Sequence, residues 1–91
     1  MFHLVRVRVD ATKMAEFGKK IANREFDNSS TRWTFCLRSD PTVGYSIWET
    51  DNEAEFERKF GPYRPYYREV EIAQVVPPTE ALALIVKQLA K

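Results

Sequence analysis

The segment "TRWTFCLRSD" at residues 31–40 alternates in two ways at once. Trp33, Phe35 and Leu37 fall on one parity, and Arg32, Thr34, Cys36 and Arg38 fall on the other. Successive side chains of a strand point to opposite faces. The stretch therefore predicts a strand with one apolar face and one face of arginine, threonine and cysteine. Seating the apolar face on a core leaves the polar row facing something else.

A second strand follows in "VGYSIWET" (43–50), reached through "DPT" with proline placed early as a tight turn favours. Here Val43, Tyr45 and Ile47 alternate with Gly44, Ser46 and Trp48. Upstream, "FHLVRVRV" (2–9) sets Val5, Val7 and Val9 against Leu4, Arg6 and Arg8. Downstream, "REVEIAQVV" (68–76) sets Val70 and Ile72 against Glu69, Glu71, Ala73 and Val75.

Helical periodicity fills the gaps. Asp10 or Thr12 is a plausible N-cap for a helix over 13–23, with Met14, Phe17 and Ile21 as its stripe. Thr50 with Glu53, or Asn52 with Glu55, has capping-box spacing before a second helix carrying Phe56 and Phe60 one turn apart. Gly61 and Pro62 stop that helix. "YRPYY" (63–67) reads as a proline-stiffened link, and Thr79 as the N-cap of a last helix over about 79–90 with Ala81, Leu82, Ile85 and Leu89 as its stripe.

The order β-α-β-β-α-β is the split βαβ of ferredoxin-like α+β folds. It implies one domain over residues 1–91: a four-stranded antiparallel sheet with both main helices on one face, plus a C-terminal helix. Uniformly apolar rows would face the helices: Val5, Val7, Val9; Trp33, Phe35, Leu37; Val43, Tyr45, Ile47; and Val70, Ile72. The open face would then hold Leu4, Arg6, Arg8, Arg32, Thr34, Cys36, Arg38, Ser46, Trp48, Glu69, Glu71, Ala73 and Val75. That mixture suits a half-buried surface, partly covered by a second copy of the chain and partly lining a polar cavity.

Composition removes several functions. A net charge of +1 gives no field to drive nucleic-acid or membrane binding. The longest apolar run, "ALALIV" at 81–86, is far short of the ~20 residues that cross a bilayer. The opening residues lack the pattern of a signal peptide, and a lone cysteine forms no internal disulfide, which together point to the cytoplasm. His3 is the single histidine and has no partners at metal-ligand spacing, so neither metal nor cofactor is called for. An RNA-recognition motif would need aromatic and basic residues that "GYSIWET" lacks, and a phosphate-cradling loop would need glycine that "DATKM" lacks.

"YSIWETDNEAEF" after a strand containing "RW", with "VEIAQVVPPTEAL" near the end, resembles the dimeric α/β-barrel superfamily. Within it, the chain is most similar to one of the small domain families of unknown function. The resemblance covers most of residues 2–86. It implies two sheets facing each other across a homodimer and a cleft that takes a small ligand. Members include cofactor-independent monooxygenases, lactone isomerases, haem-handling enzymes and regulatory ligand-binding domains.

The residue types on the expected open face suggest specific chemistry. Arg6, Arg8, Arg32 and Arg38 could hold a carboxylate or phosphate through bidentate guanidinium forks, or simply pair with Glu49, Glu69 and Glu71. Trp48 could stack on a planar ligand or anchor the dimer. Cys36 would need a base or positive neighbour to act as a nucleophile and is otherwise an inert thiol. Tyr66, clustered with Tyr63 and Tyr67, could close a pocket or donate a proton. With Ser46 and Glu71 these make the candidate ligand set. The expected function is a binding or regulatory module for a small polar, anionic or planar ligand, the alternative being a cofactor-independent monooxygenase- or isomerase-like enzyme.

Overall fold

Three β-branched or aromatic-rich runs and one acidic run take up the strand geometry that their alternation predicts. The computed structural model describes residues 1–90. Its elements are β1 (Phe2–Val9), α1 (Met14–Ala22), β2 (Thr31–Cys36), β3 (Val43–Glu49), α2 (Glu53–Phe60), β4 (Tyr67–Val75) and α3 (Pro78–Leu89). The four strands form one antiparallel sheet in the order β2-β3-β1-β4. This is the ferredoxin-like arrangement. No helix among the described residues is long and apolar enough to cross a membrane.

The helix boundaries follow from their caps. The Asp10 carboxylate accepts the Thr12 amide at 2.9 Å and starts a 3-10 turn, Ala11–Lys13, that leads into α1. Asn52 Oδ1 accepts the Glu55 amide at 2.8 Å, while the Glu55 carboxylate reaches back to the Asp51 amide at 2.7 Å. That reciprocal pair satisfies donors which the first turn of α2 would otherwise leave open. After α2 the chain does not run as a simple link: Gly61–Tyr66 forms a 3-10 helix. The fixed φ of Pro62 and Pro65 suits such a turn. Likewise α3 starts at Pro78, with no side-chain cap from Thr79.

The core is aromatic. Phe56 and Phe60 of α2 stack on each other at 5.4 Å, and both meet Trp48 edge-on, at 5.8 and 5.7 Å. Val5, Val7, Val70 and Ile72 pack around them, so β1 and β4 present their expected rows to the helices. His3 is also buried and stacks on Phe56 at 4.1 Å. A carboxylate only accepts, so the 2.9 Å contact with Glu53 makes Nε2 the donor and leaves buried Nδ1 without a partner.

On β2 and β3 the faces are the reverse of those expected. Val5 lies opposite Ser46, Val7 opposite Gly44 and His3 opposite Trp48, so the helix side of β3 is Gly44, Ser46 and Trp48. Thr34 pairs with Ser46 and Cys36 with Gly44, which puts Thr34 and Cys36 on that same side. Trp33, Phe35, Tyr45 and Ile47 occupy the open face instead. Trp48 is only 3% exposed whereas Phe35 is 66% exposed. The register also slips between Thr31 and Trp33, where one extra residue opposes Trp48 and Ile47 and flips the parity of β2. Trp48 apart, the larger apolar side chains of Trp33, Phe35 and Ile47 thus mark the face away from the helices.

The last helix stands apart from this core. Leu82, Leu84, Ile85, Val86 and Leu89 of α3 are all exposed, and the molecule measures 52 Å along its longest axis.

Truncation should separate the two faces. Trp48→Ala or Phe56→Ala is expected to cost about 3–5 kcal/mol by denaturant unfolding, the usual range for buried aromatics. Phe35→Ala should cost less than about 1 kcal/mol in dilute solution, as an exposed position does. Equal losses at Trp48 and Phe35 would contradict this register.

Candidate functional site

The helix side of β2 and β3 is built from short side chains where a sheet of this kind usually carries a core. Thr34, Cys36, Gly44 and Ser46 form a patch there, bordered by Val5 and Val7 of β1. Trp48 is covered by α2, but Thr34 and Cys36 remain exposed. A cleft of about 630 Å³ opens above the patch. Phe17 and Ile21 of α1, Asn28 of the following loop, and Phe60, Tyr63 and Tyr67 complete its walls, and Thr31, Trp33, Thr42 and Tyr45 also line it.

Aromatic packing shapes the wall opposite the sheet. Phe17 stacks on Tyr66 at 4.9 Å, and Phe26 stacks on Tyr63 at 4.3 Å. The 3-10 turn therefore holds Tyr63 toward the loop and Tyr66 against α1. Tyr66 itself is buried, donating from its hydroxyl to Glu16 at 3.2 Å, and does not line the cleft.

The electrostatics of the cleft are distinctive. None of its lining residues is Asp, Glu, Lys, Arg or His. Burial raises the Tyr67 phenol far above the ordinary tyrosine value, with smaller contributions from Tyr63 and Cys36. Burial raises Tyr63 too, with Asp27 adding to the effect. Both phenols thus stay protonated at neutral pH and can donate. The Trp48 indole donates to Ser46 Oγ at 2.9 Å, which orients that oxygen and leaves its own proton free for a ligand. The cleft offers neutral donors, acceptors and ring faces.

The sequence-predicted candidates divide between two faces. Cys36, Ser46 and Trp48 come together in the cleft. Arg6, Arg8 and Glu71 lie on the opposite face of the sheet. There Arg6 sits 3.6 Å from Glu69 and 3.8 Å from Glu71, and Arg8 contacts Asp40 at 2.6 Å and Glu69 at 3.2 Å. A hollow of about 280 Å³ beside Leu4, Arg6, Tyr45 and Glu71 is the counterpart on that face. Arg32 pairs with Glu49 at 2.8 Å, and Arg38 is exposed beyond the end of β2. The expected continuous row of arginines is therefore not a single surface, because β2 presents Thr34 and Cys36 to the helices. Sequence reading missed Gly44, Thr34 and Asn28 as site residues. A glycine inside a strand was the available signal.

No protein-family model and no curated protein sequence matches the chain. Solved structures do. The 5-chloro-2-hydroxyhydroquinone dehydrochlorinase of Burkholderia phenoliruptrix, in complex with 2,5-dihydroxybenzoquinone, is similar at a TM-score of 0.58 and 10% identity, over 88% of this chain and 98% of that one. A candidate antibiotic biosynthesis monooxygenase from Bacteroides thetaiotaomicron is similar at 0.59 and 14% identity, over 86% and 89%. A protein of Agrobacterium tumefaciens gives 0.51 and 14%, over 85% and 93%. What the chain shares with these structures is its fold, the ferredoxin-like α+β arrangement of one four-stranded antiparallel sheet and its helices.

The raised phenols make a pH prediction. A phenol held protonated in the folded state contributes stability that is intact below the unfolded value, near pH ~10, and lost as pH rises through it toward the folded value. Denaturant midpoints should therefore fall from about pH 9 upward. Tyr67→Phe, which has no proton to release, should fall less steeply. Parallel curves would show that Tyr67 is not the group responsible.

Proposed function

We propose that this protein is a binding module for a small, uncharged, flat aromatic molecule bearing hydroxyl or carbonyl groups, seated between α1 and the sheet. The observation that carries the reading is the cleft of about 630 Å³ in which aromatic rings and neutral hydroxyls meet without one charged side chain. Taking a charged ligand out of water is costly unless an opposite charge meets it. Flat rings lose little there and stack on aromatic walls. A dihydroxybenzoquinone in the Burkholderia enzyme of the same fold supports the size and shape of such a ligand.

A cofactor-independent enzyme is the second reading. In its favour, a thiol and two phenols (Cys36, Tyr63 and Tyr67) line the cleft. Proton abstraction at neutral pH needs a base poised near that pH. Raised phenols are proton donors instead, which favours binding over turnover. A lone free cysteine also fits a reducing compartment such as the cytoplasm.

Calorimetric titration with phenol, catechol and benzoate tests the ligand class. The two neutral rings are expected to bind in the micromolar to millimolar range, roughly what so few atoms can supply, and benzoate not to bind detectably. Preferential binding of benzoate would transfer the site to the arginine face. Consumption of a bound phenol during incubation would favour the enzyme.

The same reading includes a homodimer through the open sheet face. Phe35 at 66% and Trp33 at 46% exposure, with Ile47, Leu4 and Val75 nearby on the face, are a poor surface for water and a good one for a second sheet. Sedimentation at tens of micromolar should give a dimer, burying at least ~1,000 Å² in total. Phe35→Glu should yield a folded monomer. A wild-type monomer under these conditions would refute the dimer.

A further inference from the structure

Gly44 is a glycine without an evident backbone duty. It lies within β3, a strand hydrogen-bonded on both sides, with Val7 opposite on β1 and Cys36 opposite on β2. Glycine weakens a strand interior, and where it occurs it usually serves a bulge, a strained dihedral, or close approach by another group. The one register slip against β2 lies at Thr31/Trp33, and pairing with β1 runs through Gly44 unbroken. No glycine among the described residues has a positive φ. A Cβ at Gly44 would meet Val7 Cγ2 at 3.6 Å, the Phe35 carbonyl at 3.7 Å and Cys36 Sγ at 3.8 Å, all ordinary contacts. The protein's own backbone therefore does not require glycine here. What remains is the space above it, and that space is the cleft.

We propose that Gly44 sets the ligand selectivity of the cleft, leaving a slot between Val7 and Cys36 into which the flat edge of a ring descends. The proposal rests on the binding function given above and adds the feature that decides which molecules fit. Ser46, two residues along the same side of β3, stands beside the slot with its hydroxyl held by the Trp48 indole at 2.9 Å. A ring lowered onto Gly44 would meet a thiol on one side, a valine on the other and an oriented hydroxyl at its end. Saturated rings are thicker than aromatic ones, so a slot made by a missing side chain accepts the flat molecule and excludes the puckered one. Any side chain at position 44 fills the slot from below.

The test uses 2-naphthol and its puckered counterpart decahydro-2-naphthol, both uncharged and unreactive toward thiols, titrated by calorimetry. Wild type is expected to bind 2-naphthol more tightly than the saturated alcohol by about tenfold or more. Gly44→Ala should weaken 2-naphthol binding and Gly44→Val should reduce it by about tenfold or more. Meanwhile the melting temperature of ligand-free Gly44→Ala should rise, since a residue that tolerates this backbone loses less freedom on folding. Circular dichroism and melting establish that each variant is folded.

The outcomes separate the two claims. Failure of wild type to bind either alcohol would overturn the binding function together with this inference. Equal affinity of wild type and folded Gly44→Val for 2-naphthol would overturn the role of Gly44 and leave the binding function standing. A lower melting temperature in Gly44→Ala would likewise overturn it, because the glycine would then serve the fold.

Discussion

Trp48 meets Phe56, Phe60 and Tyr63 edge-on at 5.7–5.8 Å, and much else in the molecule is settled by that contact. A side chain of this size, fully buried, contributes more than any aliphatic neighbour, and its edge-to-face geometry adds to the area term. Side chains alternate along a strand, so seating Trp48 under α2 sends Ile47 and Tyr45 to the other side. Backbone pairing carries the choice across to β2, where Thr34 follows Ser46 and Cys36 follows Gly44. One indole thus fixes which residues of two strands see the helices. The cleft is a consequence: once the tryptophan faces α2, the small residues two and four positions before it must face the same way.

Element order, strand limits and most caps were legible because each rests on local chemistry. Asp10, Asn52 with Glu55, and Gly61 at the end of α2 work within a turn or two of chain, and short-range patterns report them faithfully. Faces are different. The expectation that the apolar parity meets the helices held for β1 and β4, where Val5, Val7, Val70 and Ile72 pack on the core. It inverted on β2 and β3, where neither side carries a conventional core row. One side carries Trp33, Phe35 and Ile47 in the open, and the other carries the polar floor of a hollow. Alternation reveals that two faces differ. It cannot say which one a helix covers.

The candidate site suffered from the same ambiguity. Arginines attract attention because their chemistry is explicit, yet Arg6, Arg8 and Arg32 all have carboxylate neighbours within 4 Å. Exposed pairs of this kind are worth little individually and leave little net charge for an anion. By sequence parity Cys36, Ser46 and Trp48 belong with that arginine face, but they are joined in the cleft by Gly44, Thr34 and Tyr67. The sequence contained the clue in the spacing of small residues: Thr34 and Cys36 on one strand, Gly44 and Ser46 on the next. Two neighbouring strands with small residues on one parity and large apolar ones on the other describe a cavity floor backed by an exposed apolar face.

That pairing has an energetic reason. A chain of 91 residues buries only about 60–65% of the surface its unfolded form exposes, so its margin is narrow. A hollow in the one apolar layer between sheet and helices forgoes roughly 1.5–3 kcal/mol for each large side chain that could have filled it. Filling it would restore stability and remove the space for a ligand. The alternative is to recover apolar burial elsewhere, and the only extended apolar surface left on the sheet is its other face. There Trp33, Phe35 and Ile47 project from the same two strands that floor the cleft. A second sheet covering that face would supply the burial that the cleft withholds. Strands β2 and β3 would then be held flat from behind while their front stays open. Cleft and apolar face are opposite sides of one backbone, so a ligand that ordered the floor and a partner that covered the back would stabilise the same strands. Binding at one should strengthen the other without a single shared contact, through the rigidity of the strands between them.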